Sequence, residues 1–568
     1  MDALFYSYTS TLADWDPAKT IFLCPPSSHC KTWEAAQSYA IRSGWQAVAE
    51  ANKCLLIVPL AEAGWGSLPE DHLMSLYNRF KNDVPARQGR SIWGRGGMVW
   101  CWEIILFAVG YGDGAEYVSR VQIACPGFLA ACALVNGCTA DFSFSEKPSS
   151  HWLVPGASED YRKRNCEIPV QTWLYTEDTD GCGKLAEYWN GVNQADTFGE
   201  EVVGGLLSDV AYSGKHPAHQ VRVFSGTFSA EPKLAEHIFF HCFSHVVRWK
   251  NGPDGTLALV PSREEFYKNP ANLRRTIGIE GNYYDYFLHL PAGKQREEVR
   301  GLPLVVSIHG RGEPAWMYSN KNGWESLSDE TGAFVTLTPD SPGNIWFRSR
   351  DARAFPLMIA QALEEFGLDP ERVYLTGFSN GGTMTRELSL MYPDLFAAIS
   401  PWNGPGMDTA AMLEQDTSRI PSCVLPQLRA LADRLLQEGW EMPAFMFYGD
   451  RDMGIGPDSN LLLPVYLQAN GCAALPEPQC PAGYRPDWEY TAEKEYAPLS
   501  EGHRFHTYAY RGVHGEPAVC VTLMKNMPHG AVREQSRVTW EFFRHYRRPV
   551  QSKSVIFENT DRLCLEKE

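Results

Sequence analysis

One order of landmarks is written twice along this chain, and the repetition restricts its folds more than any other feature. Ser43-Gly44-Trp45-Gln46-Ala47-Val48-Ala49-Glu50, leading to Leu55-Leu56-Ile57-Val58-Pro59, returns as Asn322-Gly323-Trp324-Glu325-Ser326-Leu327-Ser328-Asp329, leading to Phe334-Val335-Thr336-Leu337-Thr338-Pro339. Each copy reads as a helix and then a buried strand, because a short apolar run that alternates with helical stretches suits a strand covered on both faces. The next landmarks keep their order. Ile92-Trp93-Gly94-Arg95 stands against Ile345-Trp346-Phe347-Arg348, and Val121-Gln122-Ile123-Ala124 against Val373-Tyr374-Leu375-Thr376. Strand-like runs alternating with helices in both halves predict the α/β class, with two tandem domains of like architecture.

The boundaries follow from turn chemistry. The first domain is expected over 1–250, closing at His245-Val246-Val247-Arg248-Trp249-Lys250, and the turn-rich Asn251-Gly252-Pro253-Asp254-Gly255 opens a linker over 251–275. The second domain is expected over 276–550, beginning with the alternating strand Tyr283 to Pro291, and 551–568 reads as a polar tail.

Composition narrows the partners. A formal charge of -17 argues against nucleic acid and anionic membrane surfaces, which are bound by basic patches. No stretch approaches the roughly 18 uninterrupted apolar residues of a membrane helix; the best, Met98 to Gly110, is short and contains Glu103. Met1 to Tyr8 has no basic segment before an apolar run, so no secretory signal is read there and the expected location is cytoplasmic. The 15 cysteines lack metal-ligand spacing and are expected as small buried residues, with Cys472 and Cys480 able to pair only in an exported protein. No phosphate loop, dinucleotide fingerprint or ligand cluster appears, so neither metal nor cofactor is expected. A homo-oligomer stays open.

The second copy carries the chemistry. Gly377-Phe378-Ser379-Asn380-Gly381 follows the apolar Val373-Tyr374-Leu375, which predicts a strand, a strained turn with Ser379 at its apex, and a helix. The glycines are needed where a side chain would strike the neighbouring strand and helix. The strand Leu302 to Ile308 ends in His309-Gly310-Arg311-Gly312, placing the backbone N–H of Arg311 beside that of Asn380 as a candidate oxyanion hole. An acyl-transfer serine needs a base, and the base needs an orienting carboxylate, in the chain order serine, acid, histidine for this arrangement. Asp452 in Gly449-Asp450-Arg451-Asp452 is assigned as orienter, with Asp450 as the alternative acid. His529 before Gly530 is assigned as base, with His514 as the competing histidine. Long excursions from Pro401 to Glu441 and from Met453 to Val519 are expected to build the pocket, and Trp316, Trp402 and Trp488 are candidate aromatic walls.

From about 280 to 548 these residues resemble the α/β-hydrolase serine esterases of the poly(3-hydroxybutyrate) depolymerase and feruloyl or acetylxylan esterase group. The resemblance rests on Tyr284 and Tyr286, His309-Gly310, Asn322-Gly323-Trp324, the run from Asp369 to Tyr374, Gly377 to Gly382, Gly449 to Asp452, and His529. It implies an α/β-hydrolase fold, a Ser379–His529–Asp452 triad and hydrolysis of a small-molecule carboxylic ester. Arg311 stands where a cysteine is common in secreted members, which argues against a polymer degrader working outside the cell. Two other readings stay open: a peptidase or amidase on the same triad, and a binding or scaffold protein that keeps the fold without turnover.

The first copy is expected to be hydrolase-like without hydrolase chemistry. Its strand ends in Cys24-Pro25-Pro26, with no glycine to match Gly310, and Gly127 falls where the second copy has Ser379. Cys125 is a conceivable substitute nucleophile, but it lies two residues before that position.

Overall fold

The computed structural model describes residues 4–12, 17–87, 100–150, 152–153, 163–404, 420–452, 462–472, 491–495, 504–513 and 515–558. The chain divides into two compact units, Met1–Ser262 and Arg263–Glu568.

The first unit is built on strands β1 (Phe5–Thr9), β2 (Pro17–Cys24), β3 (Leu55–Pro59), β4 (Trp100–Tyr111), β5 (Ala131–Val135), β6 (Gln171–Thr176), β7 (Thr197–Val203), β8 (Leu206–Tyr212) and β9 (Gln220–Ser225). They form one sheet in the order β1-β3-β2-β4-β5-β6-β9-β8-β7. A separate hairpin, β10 (Val246–Trp249) with β11 (Thr256–Leu259), closes the unit.

The second unit uses β12 (Asn272–Ile279), β13 (Asn282–His289), β14 (Leu304–Ile308), β15 (Val335–Pro339), β16 (Val373–Phe378), β17 (Ala398–Trp402), β18 (Ala444–Gly449), β19 (Thr491–Glu495), β20 (Arg504–Arg511) and β21 (Pro517–Met524). Their order is β12-β13-β15-β14-β16-β17-β18-β21-β20-β19. The central pairs β15–β14, β14–β16, β16–β17, β17–β18 and β18–β21 are parallel, and the flanking pairs are antiparallel. Every residue of β14 to β18 is buried, as strands covered by helices on both faces must be.

The repeated Gly-Trp pair has a packing cause. Trp45 and Trp324 are both fully buried, and each follows a left-handed glycine that precedes a helix, Gly44 at φ 85° and Gly323 at φ 77°. A β-carbon on Gly44 would lie 2.5 Å from Pro232 Cα, and one on Gly323 would lie 2.8 Å from the Arg533 carbonyl oxygen. Pro232 and Arg533 each open a late helix of their own unit, so the same backbone approach is built twice.

Several expectations are corrected. Val121–Ala124 belongs to the helix Asp113–Ala124 and not to a strand, because its apolar residues are the buried face of that helix. The strand that occupies the place of β16 is β4, so Gly127 is not at the turn; it sits in the short 3-10 helix Pro126–Phe128. The apolar run from Met98 to Gly110 is largely that strand. The span 251–275 is not a free linker: Asn251 to Gly255 closes the β10–β11 hairpin, the helix Arg263–Lys268 follows, and β12 has begun by Asn272. Part of the tail is docked, since Ile556–Phe557 pairs with Tyr546–Arg547 and Glu558 bridges Arg372 and Arg547, at 2.6 Å each. Ile92 to Arg95 lies outside the described residues. No described helix is long and apolar enough to cross a membrane.

Candidate active site

The site grows from the junction of β16 with the helix Asn380–Met391. Ser379 caps that helix at φ 53°, ψ -115°, a backbone that costs a non-glycine residue about 1–3 kcal/mol. The surroundings enforce it: Ser379 N–H donates to the Trp402 carbonyl at 2.9 Å, and the Ser379 carbonyl accepts from Thr383 N–H at 3.0 Å. The flanking glycines are obligatory on steric grounds. A β-carbon on Gly377 would lie 2.5 Å from Gly381 O, and one on Gly381 would lie 2.2 Å from Ile308 O.

His529 reaches this turn from the loop after β21. Its Nε2 lies 2.8 Å from Ser379 Oγ, and its Nδ1 lies 2.8 Å from Asp452 Oδ2. A carboxylate only accepts, so Nδ1 carries the proton and Nε2 presents its lone pair to the serine hydroxyl. The Asp452 side chain is 1% exposed while that of His529 is 33% exposed, so the carboxylate is shielded and the imidazole is open to a reactant. The arrangement can move the Ser379 proton to His529 and stabilise the resulting imidazolium. Phe378 lies against the histidine, with ring centroids 5.0 Å apart. The loop is pressed onto the end of β18, where a β-carbon on Gly449 would lie 2.2 Å from Met527 O.

Asp450, the alternative acid, is used differently. Its Oδ1 accepts from Met527 N–H at 3.2 Å and its N–H donates to Met524 O at 3.1 Å, so it braces the loop that carries His529. Burial raises its carboxyl pKa. His514 lies outside the described residues.

Of the two residues expected to offer oxyanion donors, Asn380 stands in the first turn of the helix, where backbone N–H groups have no intrahelical acceptor. Its side chain clasps another segment: Oδ1 accepts from Trp346 N–H at 2.7 Å and Nδ2 donates to Trp346 O at 3.2 Å. Arg311 is half-buried in the loop after β14, and burial lowers its guanidinium pKa. That loop is held by Gly312 N–H donating to Asn344 O at 2.6 Å and by Trp346 Nε1 donating to His309 O at 3.1 Å. His309 is fully buried. Its Nε2 accepts from Ser341 N–H at 3.1 Å, so its proton is on Nδ1, 2.7 Å from Gly310 O, and burial pulls its pKa down to about 4.

The tryptophans divide. Trp402 is not a pocket wall: it is fully buried, donates from Nε1 to Ser400 Oγ at 2.9 Å, and stacks on Trp324 within the core. Trp316 is 9% exposed in the helix Ala315–Asn322, and its buried indole N–H has no partner among the described residues. Trp488 lies outside the described residues. Among the described residues no group of three or more potential ligands could hold a metal.

Sequence reasoning missed three neighbours, Asn403, Glu313 and Lys321. Asn403, fully buried at φ 45°, donates from Nδ2 to Asp452 Oδ2 at 2.9 Å. Its signal was the Asn403-Gly404 pair directly after β17, a dipeptide that favours left-handed turns. Glu313 and Lys321 form a nearly buried pair at 3.2 Å, and Lys321 Nζ lies 3.7 Å from the centre of the Phe378 ring. A Glu and a Lys eight residues apart gave no pattern to read.

No family model matches the chain. It is 30% identical over 152 residues to poly(3-hydroxyalkanoate) depolymerase C of Paucimonas lemoignei, covering 24% of this chain and 33% of that one. It is 30% identical over 132 residues to feruloyl esterase B of Thermothelomyces thermophilus, covering 21% and 45%. It is 28% identical over 161 residues to an acetylxylan esterase of Coprinopsis cinerea, covering 26% and 41%. The chain thus spans less than half the length of each of these relatives. In its sequence the protein is similar to the serine esterases of the poly(3-hydroxybutyrate) depolymerase and feruloyl or acetylxylan esterase group.

Proposed function

We propose that the second unit hydrolyses carboxylic esters through an acyl-enzyme, and the observation that carries this reading is the unbroken chain Ser379–His529–Asp452, with 2.8 Å at each link. His529 Nε2 takes the hydroxyl proton as Ser379 Oγ attacks the ester carbonyl carbon. The tetrahedral oxyanion is received by the backbone N–H groups of Arg311 and Asn380, each such donor being worth about 3 kcal/mol. His529 then returns the proton to the departing alcohol, and water enters by the same route to release the acid. No cofactor enters the cycle. The substrate class is a small or medium ester, a reading supported by relatives named as a depolymerase and as feruloyl and acetylxylan esterases.

The first unit, in this reading, is a second copy of the same architecture that does not hydrolyse esters. Its support is the shared strand order and the sequence Gly110-Tyr111-Gly112-Asp113-Gly114 at the end of β4, which parallels Gly377-Phe378-Ser379-Asn380-Gly381 with glycine in place of the serine. A cytoplasmic location, and no nucleic-acid or membrane partner, belong to the same reading.

A panel of aryl esters and aminoacyl anilides, run with wild type and Ser379→Ala, tests the function. Ester turnover that is lost in the variant is the expected result. Faster turnover of anilides than of esters would make the protein an amidase, and ester turnover that survives in Ser379→Ala would remove the serine from the chemistry.

A further inference from the structure

The first unit holds a thiol pair that the ester-cleaving reading does not use. Cys138 Sγ and Cys182 Sγ are 2.7 Å apart, a separation from which a small side-chain rotation reaches bonding distance. Both arise from the carboxyl ends of neighbouring parallel strands. Cys138 follows β5 by way of the turn at Asn136, whose backbone is left-handed at φ 54°, and Cys182 stands in the first turn of the helix Thr179–Val192, which follows β6. Asp178 caps that helix by accepting from Gly181 N–H at 2.8 Å, so the Cys182 end of the pair is fixed. Cys138 is partly exposed and Cys182 is buried, which gives a reagent access to one sulfur and shields the other. Other cysteines of this unit, among them Cys24, Cys132 and Cys242, are fully buried, and burial raises their thiol pKa values, which makes them inert.

We propose that Cys138 and Cys182 are a redox site that closes to an intramolecular disulfide when the protein meets a low-molecular-weight disulfide such as glutathione disulfide. The step balances as an exchange. The exposed Cys138 sulfur passes its proton to the adjacent Cys182 sulfur as it attacks one sulfur of glutathione disulfide; that S–S bond breaks, a mixed disulfide forms and one glutathione thiolate leaves. Cys182 thiolate then attacks the Cys138 sulfur, forming the protein disulfide and expelling the second glutathione thiolate. The two protons given up by the protein thiols end on the two glutathiones, which are reduced by the two electrons the protein loses. The contact favours the second attack, because Cys182 already lies 2.7 Å from the Cys138 sulfur it must reach. Closure ties the loop after β5 to the start of the helix after β6 and requires no movement of either strand.

The test uses the full-length protein, reduced and then equilibrated across a series of glutathione to glutathione disulfide ratios. Remaining thiols are trapped with N-ethylmaleimide in denaturant without reductant, and the peptides are mapped by mass. The expected result is one cross-linked peptide pair joining Cys138 to Cys182. Its rise should match the loss of both maleimide adducts, while Cys24, Cys132 and Cys242 stay labelled, and dithiothreitol should restore both adducts. In Cys138→Ser no cross-link to Cys182 should form at any ratio. Maleimide on both Cys138 and Cys182 throughout the series would overturn the proposal. So would either sulfur ending joined to another cysteine, such as the partly exposed Cys166, or held as a mixed disulfide with glutathione.

Discussion

Ser379 and Gly112 hold the same backbone, φ 53° and ψ -115° in the serine and φ 56° and ψ -126° in the glycine, each between a parallel strand and the first turn of a helix. Their surroundings match too. A β-carbon on Gly381 would lie 2.2 Å from Ile308 O at the end of β14, and one on Gly114 would lie 2.2 Å from Cys24 O at the end of β2. Ser379 N–H donates to the last residue of β17 and Gly112 N–H to the last residue of β5, both at 2.9 Å. An organophosphorus probe is therefore expected to add once per chain, at Ser379, and to be lost in Ser379→Ala. A second adduct within residues 1–262 would refute the assignment of the first unit as inert.

Ser379→Ala should lower ester turnover by about four to six orders of magnitude while the fold persists. Ser379→Gly should be equally inactive but more stable. Relief of about 1–3 kcal/mol of backbone strain exceeds the roughly 0.5–1 kcal/mol of extra chain entropy that glycine brings, which leaves a gain on the order of 1 kcal/mol. Chemical denaturation of the two variants checks this, and a glycine variant less stable than the alanine variant would mean that Ser379 is not strained.

The orienting carboxylate can be separated from its neighbours. Asp452→Asn should cut turnover by about 10⁴-fold, because an amide in that place can hold the imidazole in the wrong tautomer. Asp450→Asn should cost far less, since Asp450 contacts the His529 loop through Met527 N–H. Asn403→Gly keeps the left-handed backbone and removes a hydrogen bond to a charged group, so turnover should fall by about 10- to 100-fold with little change in KM. If Asp450→Asn is the more damaging aspartate change, Asp452 is not the orienter.

The clasp between Asn380 and Trp346 makes a stability prediction. Asn380→Ala would strand the Trp346 N–H and C=O in a buried setting, at about 1–3 kcal/mol for each group left unsatisfied. Urea unfolding should register that loss. An unchanged midpoint would show that the two backbone groups find other partners.

What could be read beforehand was whatever local sterics write into neighbouring residues. The turn at Ser379 was legible because close backbone approach demands glycines at fixed offsets, and the chain order of Ser379, Asp452 and His529 restricted the partners. What depended on long-range register was not legible: Asn403 meets Asp452 and Trp346 meets Asn380 only once β17, β18 and the loop after β15 lie in place. Trp402 reads as a pocket wall in the sequence because an aromatic residue at a strand end looks the same whether it faces a pocket or the core. Val121 to Ala124 reads as a strand because the buried face of a helix can mimic a short one, and Gly112 caps the start of that helix.

His309 sets a pH dependence of stability. The ring is fully buried, packs 4.9 Å from Trp346 and accepts from Ser341 N–H through Nε2; Asp340 is the charged group facing it, at 3.8 Å. Protonation would place a charge in the core and break the bond from Ser341, which is why burial holds the folded pKa at about 4. In the unfolded chain the same side chain titrates near about 6.5. Above that value both states are neutral and the stability is fully present. As the pH falls from about 6.5 towards 4 the unfolded chain binds a proton that the folded protein refuses, so stability drops by up to about 1.4 kcal/mol per pH unit. Below the folded value both states are protonated and the loss stops. Urea unfolding of wild type and His309→Gln between pH 7 and 4 measures the effect. The variant should be the less stable at pH 7 and should show a flatter decline, the gap narrowing by on the order of 3 kcal/mol. Parallel declines would mean that His309 takes up its proton equally in both states, and the neutral tautomer assigned to it in the loop before Arg311 would fall.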